Sequence, residues 1–284
     1  MHAWYAATRP HTWNGLTTPV RSDGAGESVL CLHGFPTSSW DFEPLWGGVT
    51  ERHHAIAFDL VGLGKASKPD HPLPVGLQAD LAEDVMRRIG VREAHLLAHD
   101  LGDTVAQELL ARQAEGRSTV TWRSAVFLNG GLFPETHRPR LIQRLLISPL
   151  GPWVARFSTE RTFRSNMTRI FGPHTPPDED FLKHGWELLV ADGGRTALPH
   201  LIRYMAERTT QRERWVRPLI DRIVPMRVIN GNLDPVSGRH TADRFAELVP
   251  EADIVHLADL GHYPHVERPE TVLAPVLSFL QRLG

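Results

Sequence analysis

Four features of this 284-residue chain are spaced so that they could do chemistry together. The first is Asp100 in Ala98-His99-Asp100-Leu101-Gly102, where a short apolar run meets a helical pattern. Small residues on both flanks permit a cramped turn that pushes the central side chain outward. The N-terminus of the following helix favours an anion there. Aspartate is also a good N-cap, so the pentapeptide alone allows a capping role. The second feature is "HGFPTSSW", His33 to Trp40, after an apolar run. The backbone N–H groups of Phe35 and Leu101 can aim at one cavity and form an oxyanion hole. Asp234 in "INGNLDPV" and His262 in "DLGHYPH" complete the set. His265 rivals His262, but it follows Pro264 and lies further along the loop.

The chemistry follows from the residue types. A serine attacks an acyl carbon after a base removes its proton, whereas a carboxylate is already anionic at neutral pH. Asp100 is therefore suited to displacing a leaving group at a saturated carbon. The product is an alkyl ester on Asp100, whose carbonyl water can then attack. His262 would deprotonate that water, and Asp234 would orient the imidazole and stabilise its cation. Asn129 ends another apolar run but cannot serve as the acid.

These side chains need elements to hold them. "SVLCLHG", "AIAFDL", "AHLLAHD", "SAVFLNG", "MRVINGN" and "ADIVHLAD" read as strands, most of them buried and parallel. "GLQADLAEDVMRRIG" and "DTVAQELLARQAEG" have helical spacing and end at glycine. From Leu132 to Trp215 no strand is convincing. Arginine, proline and aromatic residues become dense there, and helical periodicity persists. The pattern predicts an α/β core, a mostly parallel doubly wound sheet, over residues 1–130 and 216–284, with a helical cap inserted at 131–215. All four chemical features fall at strand ends, where open parallel sheets bind ligands.

Bulk composition narrows the function classes. The chain is 41% hydrophobic and 23% charged, with a net charge of -2, which offers no general attraction for nucleic acid or an anionic membrane. No window reaches the ~18 apolar residues of a membrane span. The start, "MHAWYAATRPHTW", lacks the apolar stretch of a signal peptide. The single cysteine, Cys31, forms no intrachain disulfide and reads as a buried small hydrophobe. A cytoplasmic location is expected. The 16 histidines show no ligand spacing, and CxxC and HExxH patterns are missing, so neither a metal nor a cofactor is expected.

Nucleophile, acid, then histidine is the chain order of the α/β-hydrolase triad. Over almost its whole length the sequence resembles the α/β-hydrolase fold family. With "HGFPTSSW", "DLVGLGKASKP" and the aspartate at the elbow, it resembles the epoxide hydrolase and haloalkane dehalogenase branch. "NGGLFPETHRP" and "HDLGDTVAQELL" are especially similar to the mesoderm-specific transcript proteins, whose activity is not securely assigned. The resemblance implies a halide site built from a tryptophan after the nucleophile and an asparagine in the HGxP loop or a cap tryptophan. Leu101 and Phe35 occupy those core positions, and neither side chain donates a hydrogen bond. For epoxides it implies two cap tyrosines as ring-opening acids. Tyr204 falls where the second would be, and no tyrosine lies between Tyr5 and Tyr204. Trp40, Trp153 and Trp186 are candidate pocket residues. The expected activity is hydrolysis of a small apolar epoxide. Dehalogenation of haloalkanes or haloacids, with Arg138, Arg140 or Arg203 binding a carboxylate, is the alternative. A hydrolase-like scaffold without turnover is the third reading. Oligomeric state is left open.

Overall fold

The computed structural model describes residues 2–283. Eight strands form one sheet: β1 (Arg9–Trp13), β2 (Leu16–Asp23), β3 (Ser28–Leu32), β4 (His54–Phe58), β5 (Glu93–His99), β6 (Thr121–Leu128), β7 (Met226–Gly231) and β8 (Asp253–Leu257). Their order is β1-β2-β4-β3-β5-β6-β7-β8. β1 and β2 pair antiparallel, as do β2 and β4; every later pairing is parallel. The six strands read from the sequence are β3 to β8. β1 and β2 went unread, although Asn14-Gly15 joins them with both residues at positive φ, 48° and 78°. That two-residue turn matches the twist of a hairpin.

Successive residues of the central strands feed opposite faces of the sheet, as the period of two requires. Leu30 and Leu32 pack into one apolar layer with Ile56, Phe58, Leu96 and Ala98. Val29 and Cys31 pack into the other with Ala55, Ala57, Leu97 and Val126. Cys31 is a buried free thiol. Helices cover both layers, so β3 to β7 are rich in apolar residues. β8 is only partly buried.

The segment after β6 is helical up to β7. Its first helices, Leu141–Ile147 and Gly151–Arg156, are short. Glu160–Thr168 and Glu179–Val190 begin with Thr159 and Asp178 as N-caps, each accepting an N–H from the first turn. The run from Leu198 to Trp215 is divided among Gly194–Leu201, Tyr204–Thr210 and Arg212–Ile220. The boundary drawn at 215/216 falls inside Arg212–Ile220. That helix packs on the core helix Leu101–Ala114, and its Trp215 indole N–H donates to Glu108 at 2.7 Å. Among the described residues, no helix is long and apolar enough to cross a membrane.

Candidate active site

Asp100 stands between β5 and the helix Leu101–Ala114, with φ 50° and ψ -104°. A non-glycine residue at positive φ is strained, and such strain is concentrated at functional sites. The elbow has no room for larger neighbours. A Cβ on Gly102 would lie 2.0 Å from the Leu32 carbonyl oxygen, and one on Gly34 would lie 2.7 Å from Asp100 Cβ. Asp100 makes no side-chain cap bond to its own helix. Its Oδ2 instead accepts the Phe35 N–H across the sheet at 3.0 Å. The N–H of Leu101 opens the helix, where first-turn donors have no intrahelical acceptor. Of the two expected oxyanion donors, the Phe35 N–H reaches the Asp100 carboxyl group, and the Leu101 N–H belongs to the residue that follows it.

The loop carrying Phe35 is tied down by buried polar groups. His33 accepts the Leu60 N–H at Nε2, 2.8 Å, so its Nδ1 carries the proton shared with the Gly34 carbonyl, 2.9 Å. Asp59 accepts the Ser39 N–H and hydroxyl, the Lys65 N–H and the Tyr5 hydroxyl. These bonds fix the loop before any ligand arrives.

His262 follows β8, and its Nδ1 lies 2.8 Å from Asp234 Oδ2. Asp234 follows β7 and collects further donors: the N–H of Val236 at 2.7 Å, the N–H of Ser237 at 3.1 Å, the Ser237 hydroxyl at 2.8 Å and Asn129 Nδ2 at 3.1 Å. Burial pushes the Asp234 carboxyl up, but the His262 charge and these donors outweigh it and hold its pKa at about 2. Burial alone would lower His262. The charge and hydrogen bond of Asp234, with the Asp100 charge, raise it from 6.5 to about 9 instead. Asp103, one turn beyond Asp100, is also raised, well above the usual carboxylate range, by burial and then by the Asp100 charge. His265, the sequence rival, faces away from this pair and stacks on Phe42.

Asp100 and His262 line one cavity of about 110 Å³. Its walls are mostly apolar cap side chains, among them Ile142, Leu146, Val154, Phe163 and Met167. Arg140, Gln143 and Asn166 bring polar groups from the cap side. Of the expected pocket tryptophans, Trp186 lines the cavity. Trp40 lies outside it, stacked on Phe181. Trp153 is 63% exposed and stacks on Phe157. Tyr204 is also outside the lining: it is fully buried, its ring lies 6.4 Å from that of Phe35, and its hydroxyl has no hydrogen-bond partner.

Comparison with known proteins agrees with this geometry. The model of the "Alpha/beta hydrolase family" matches residues 29–275. The chain belongs to the alpha/beta hydrolase family. It is 36% identical to the mesoderm-specific transcript protein of Mus musculus over 293 residues, 99% of this chain and 88% of that one. It is 37% identical over 265 residues to the putative hydrolase LipZ of Mycobacterium tuberculosis, 92% of this chain and 91% of that one. Among solved structures, haloalkane dehalogenase DbeA from Bradyrhizobium elkani superposes with a TM-score of 0.82 at 21% identity, covering 97% of this chain and 98% of that one. Epoxide hydrolase CorEH does so with a TM-score of 0.78 at 18% identity, covering 98% and 99%. At such identities the two structures speak for the fold alone.

Several roles in this alpha/beta hydrolase escaped sequence reasoning, which placed Asn129 at a strand end but only excluded it as the acid. Asn129, at a φ of 39°, both donates to Asp234 and accepts the Gly231 N–H at 2.7 Å, clamping the ends of β6 and β7. Its place at a strand end was a usable signal. Arg208 reaches from the cap to the Asp100 carbonyl oxygen at 3.1 Å and the Thr104 hydroxyl at 2.6 Å. Nothing in its sequence context marks it. Asp41, His99 and His265 also meet behind the elbow, their ligand-type atoms within 4.8 Å of one another. His99 Nε2 lies 2.8 Å from the His262 carbonyl oxygen, which only accepts, so that nitrogen carries the proton. This ring thereby buttresses the backbone of His262.

Proposed function

We propose that this hydrolase converts epoxides to vicinal diols through a covalent ester on Asp100. The observation that carries the reading is the hydrogen bond from the Phe35 N–H to one oxygen of the Asp100 carboxyl group. It leaves the other oxygen as the nucleophile. That oxygen bonds to a ring carbon, the carbon–oxygen bond breaks, and the released alkoxide takes a proton from solvent. Backside displacement puts the departing oxygen opposite Asp100, on the cap side. Arg140, Gln143 and Asn166 line that side and supply N–H donors. Tyr204, buried outside the cavity lining, has no part in this step.

In the second step neutral His262 takes a proton from water, and the hydroxide adds to the ester carbonyl carbon. The oxygen that becomes negative is the one already facing the Phe35 N–H. Collapse of the adduct breaks the ester carbon–oxygen bond; the departing diol oxygen takes the proton from the imidazolium, which returns neutral His262, and the Asp100 carboxylic acid loses its proton to solvent to restore the carboxylate. Asp234 stabilises that imidazolium as it forms.

Dehalogenation is the second reading, and Trp186 in the cavity wall is the observation that favours it. Side chains at positions 35 and 101 weigh against it, because phenylalanine and leucine give a departing halide no donor. One assay separates the readings: diol formed from styrene oxide beside bromide released from a bromoalkane. A single turnover in ¹⁸O-water with enzyme in excess then tests the ester. The label is expected in the peptide containing Asp100 and missing from the first diol. Label in the first diol means that water attacks the epoxide directly and Asp100 is not the nucleophile.

A further inference from the structure

The cap carries an unusual outer surface. The large exposed hydrophobic side chains are Leu141, Leu145, Ile147, Leu150, Trp153 and Phe157, and beyond this segment only Leu233 among the described residues. They project from Leu141–Ile147 and Gly151–Arg156, and from the residues joining and following these helices. Trp153 and Phe157 stack face to face on the outside, centroids 6.1 Å apart. Scattered exposed apolar residues are ordinary, but a contiguous patch marks an interaction site.

Charge selects the partner. Between Arg138 and Thr159 the chain has Arg138, Arg140, Arg144 and Arg156 and no Asp or Glu. None of the four arginines has a carboxylate partner among the described residues. Many arginines elsewhere are paired, as Arg212 with Glu135, Arg214 with Glu108 and Arg227 with Asp253, although others, such as Arg161, Arg169 and Arg203, are not among the described residues. An apolar stripe rimmed by unpaired cations, on helices too short to span, fits the boundary between headgroups and acyl chains of an anionic bilayer. A net charge of -2 gave no hint of it, because the average conceals a local excess.

We propose that the outer face of residues 141–157 docks this protein in the plane of an anionic lipid bilayer. The apolar side chains enter the acyl boundary and Arg138, Arg144 and Arg156 lie at the phosphates, while Arg140 faces the cavity. The opposite faces of the same helices line the catalytic cavity, through Ile142, Leu146, Val154 and Ala155. Docking therefore sets the cavity wall against the lipid. Resting on the hydrolase reading, this makes the substrate an apolar molecule dissolved in the membrane.

The test is flotation of the full chain with phosphatidylcholine vesicles, alone or mixed with phosphatidylserine. Binding is expected to the mixed vesicles and to weaken in high salt. Neither Leu150 and Phe157 nor Arg144 and Arg156 line the cavity. The double variant Leu150→Asp/Phe157→Asp is expected to lose binding. Arg144→Glu/Arg156→Glu is expected to weaken it at least ~20-fold, since each cation at a lipid surface contributes about fivefold. Circular dichroism and turnover of a water-soluble epoxide without vesicles should match the parent in both. Wild-type protein that ignores the mixed vesicles overturns the proposal, as does binding that survives both double variants. Self-association in place of vesicle binding, lost in Leu150→Asp/Phe157→Asp, assigns the face to a second copy and equally overturns it. Flotation needs no turnover, so failure of the epoxide reading is visible separately.

Discussion

Asp234→Asn tests the electrostatic logic of the site most directly. The buried Asp234 carboxylate lies 2.8 Å from His262 and accepts four further N–H or O–H donors. An asparagine has one acceptor oxygen, so its NH₂ must face some of those donors. His262 loses the charge that chiefly lifts it, and burial, which opposes that lift, then dominates. Its pKa is expected to fall from about 9 to below 6.5, a drop of at least about 2.5 units. That equals a loss of about 3 kcal/mol in imidazolium stabilisation, or about 300-fold in a step that forms the imidazolium. The sign with pH is specific. In the wild type, ester hydrolysis needs neutral His262, so its rate should climb about tenfold per pH unit and level off by about pH 9. In the variant the climb should end below pH 6.5, and the plateau should lie at least about 300-fold lower. Near pH 7 the two rates should be closer, because most wild-type His262 is still protonated there. Rapid-quench intact mass, following decay of the Asp100 ester from pH 5.5 to 10, reads both quantities. A variant that keeps a climb towards pH 9, or reaches the wild-type plateau, refutes the assignment of Asp234 as the group that lifts His262.

The same pair should shape stability. His262 is raised when folded, so its contribution is whole below pH 6.5 and lost as pH rises through about 9; Asp234 is depressed, so its own is whole above pH 3.8 and lost as pH falls through about 2. Calorimetric melting temperature should therefore decline between pH 7 and 10 in the wild type and much less in Asp234→Asn; parallel curves would contradict this. Tyr204→Phe removes a buried hydroxyl with no partner, so stability should rise by about 1 kcal/mol and diol formation should stay within about twofold; a large loss of rate would return Tyr204 to the ring-opening step. Asp100→Gly should raise urea-unfolding stability by about 1–3 kcal/mol, because glycine tolerates positive φ, while abolishing the ester; a destabilised variant would mean that the elbow is unstrained. In Asp100→Asn, which mimics the neutral ester, the His262 pKa read by NMR should fall, since the Asp100 charge helps hold it up; an unmoved value would uncouple the two groups.

What sequence reveals here follows from how local each signal is. β3 to β7 are legible because strands buried on both faces are rich in apolar residues, and Asp100 and Asp234 because each follows such a strand, while His262 follows the partly buried β8. β1 is the edge strand and β2 lies beside it; both have mixed exposure and a proline, so periodicity misses them, though Asn14-Gly15 is a hairpin signal in plain view. The clamp of Asn129 on Asp234 spans 105 positions, and the reach of Arg208 to Asp100 spans 108. No spacing rule encodes such distances; they arise only when the sheet order places β6 beside β7 and the cap closes over the elbow.

The cap resists reading for a different physical reason. Its helices have apolar residues on two faces, one turned to the cavity and one to the outside, so a single periodic stripe does not separate them. Trp153 and Trp186 illustrate the point. Both are cap tryptophans, yet one is exposed on the outer face and the other lines the cavity. Tyr204 extends it: a phenol at the sequence position of a ring-opening acid lies buried outside the cavity lining. The positions of Asp100 and His262 are set by backbone geometry at strand ends, so the sequence places them in one cavity. The acceptor of the leaving group is set by side-chain direction on short helices, which is decided by packing. On the proposed mechanism, discrimination between epoxide and halide would rest on Arg140, Gln143, Asn166 and Trp186, which line the cavity, and exchanging these is expected to change the substrate without preventing adduct formation on Asp100.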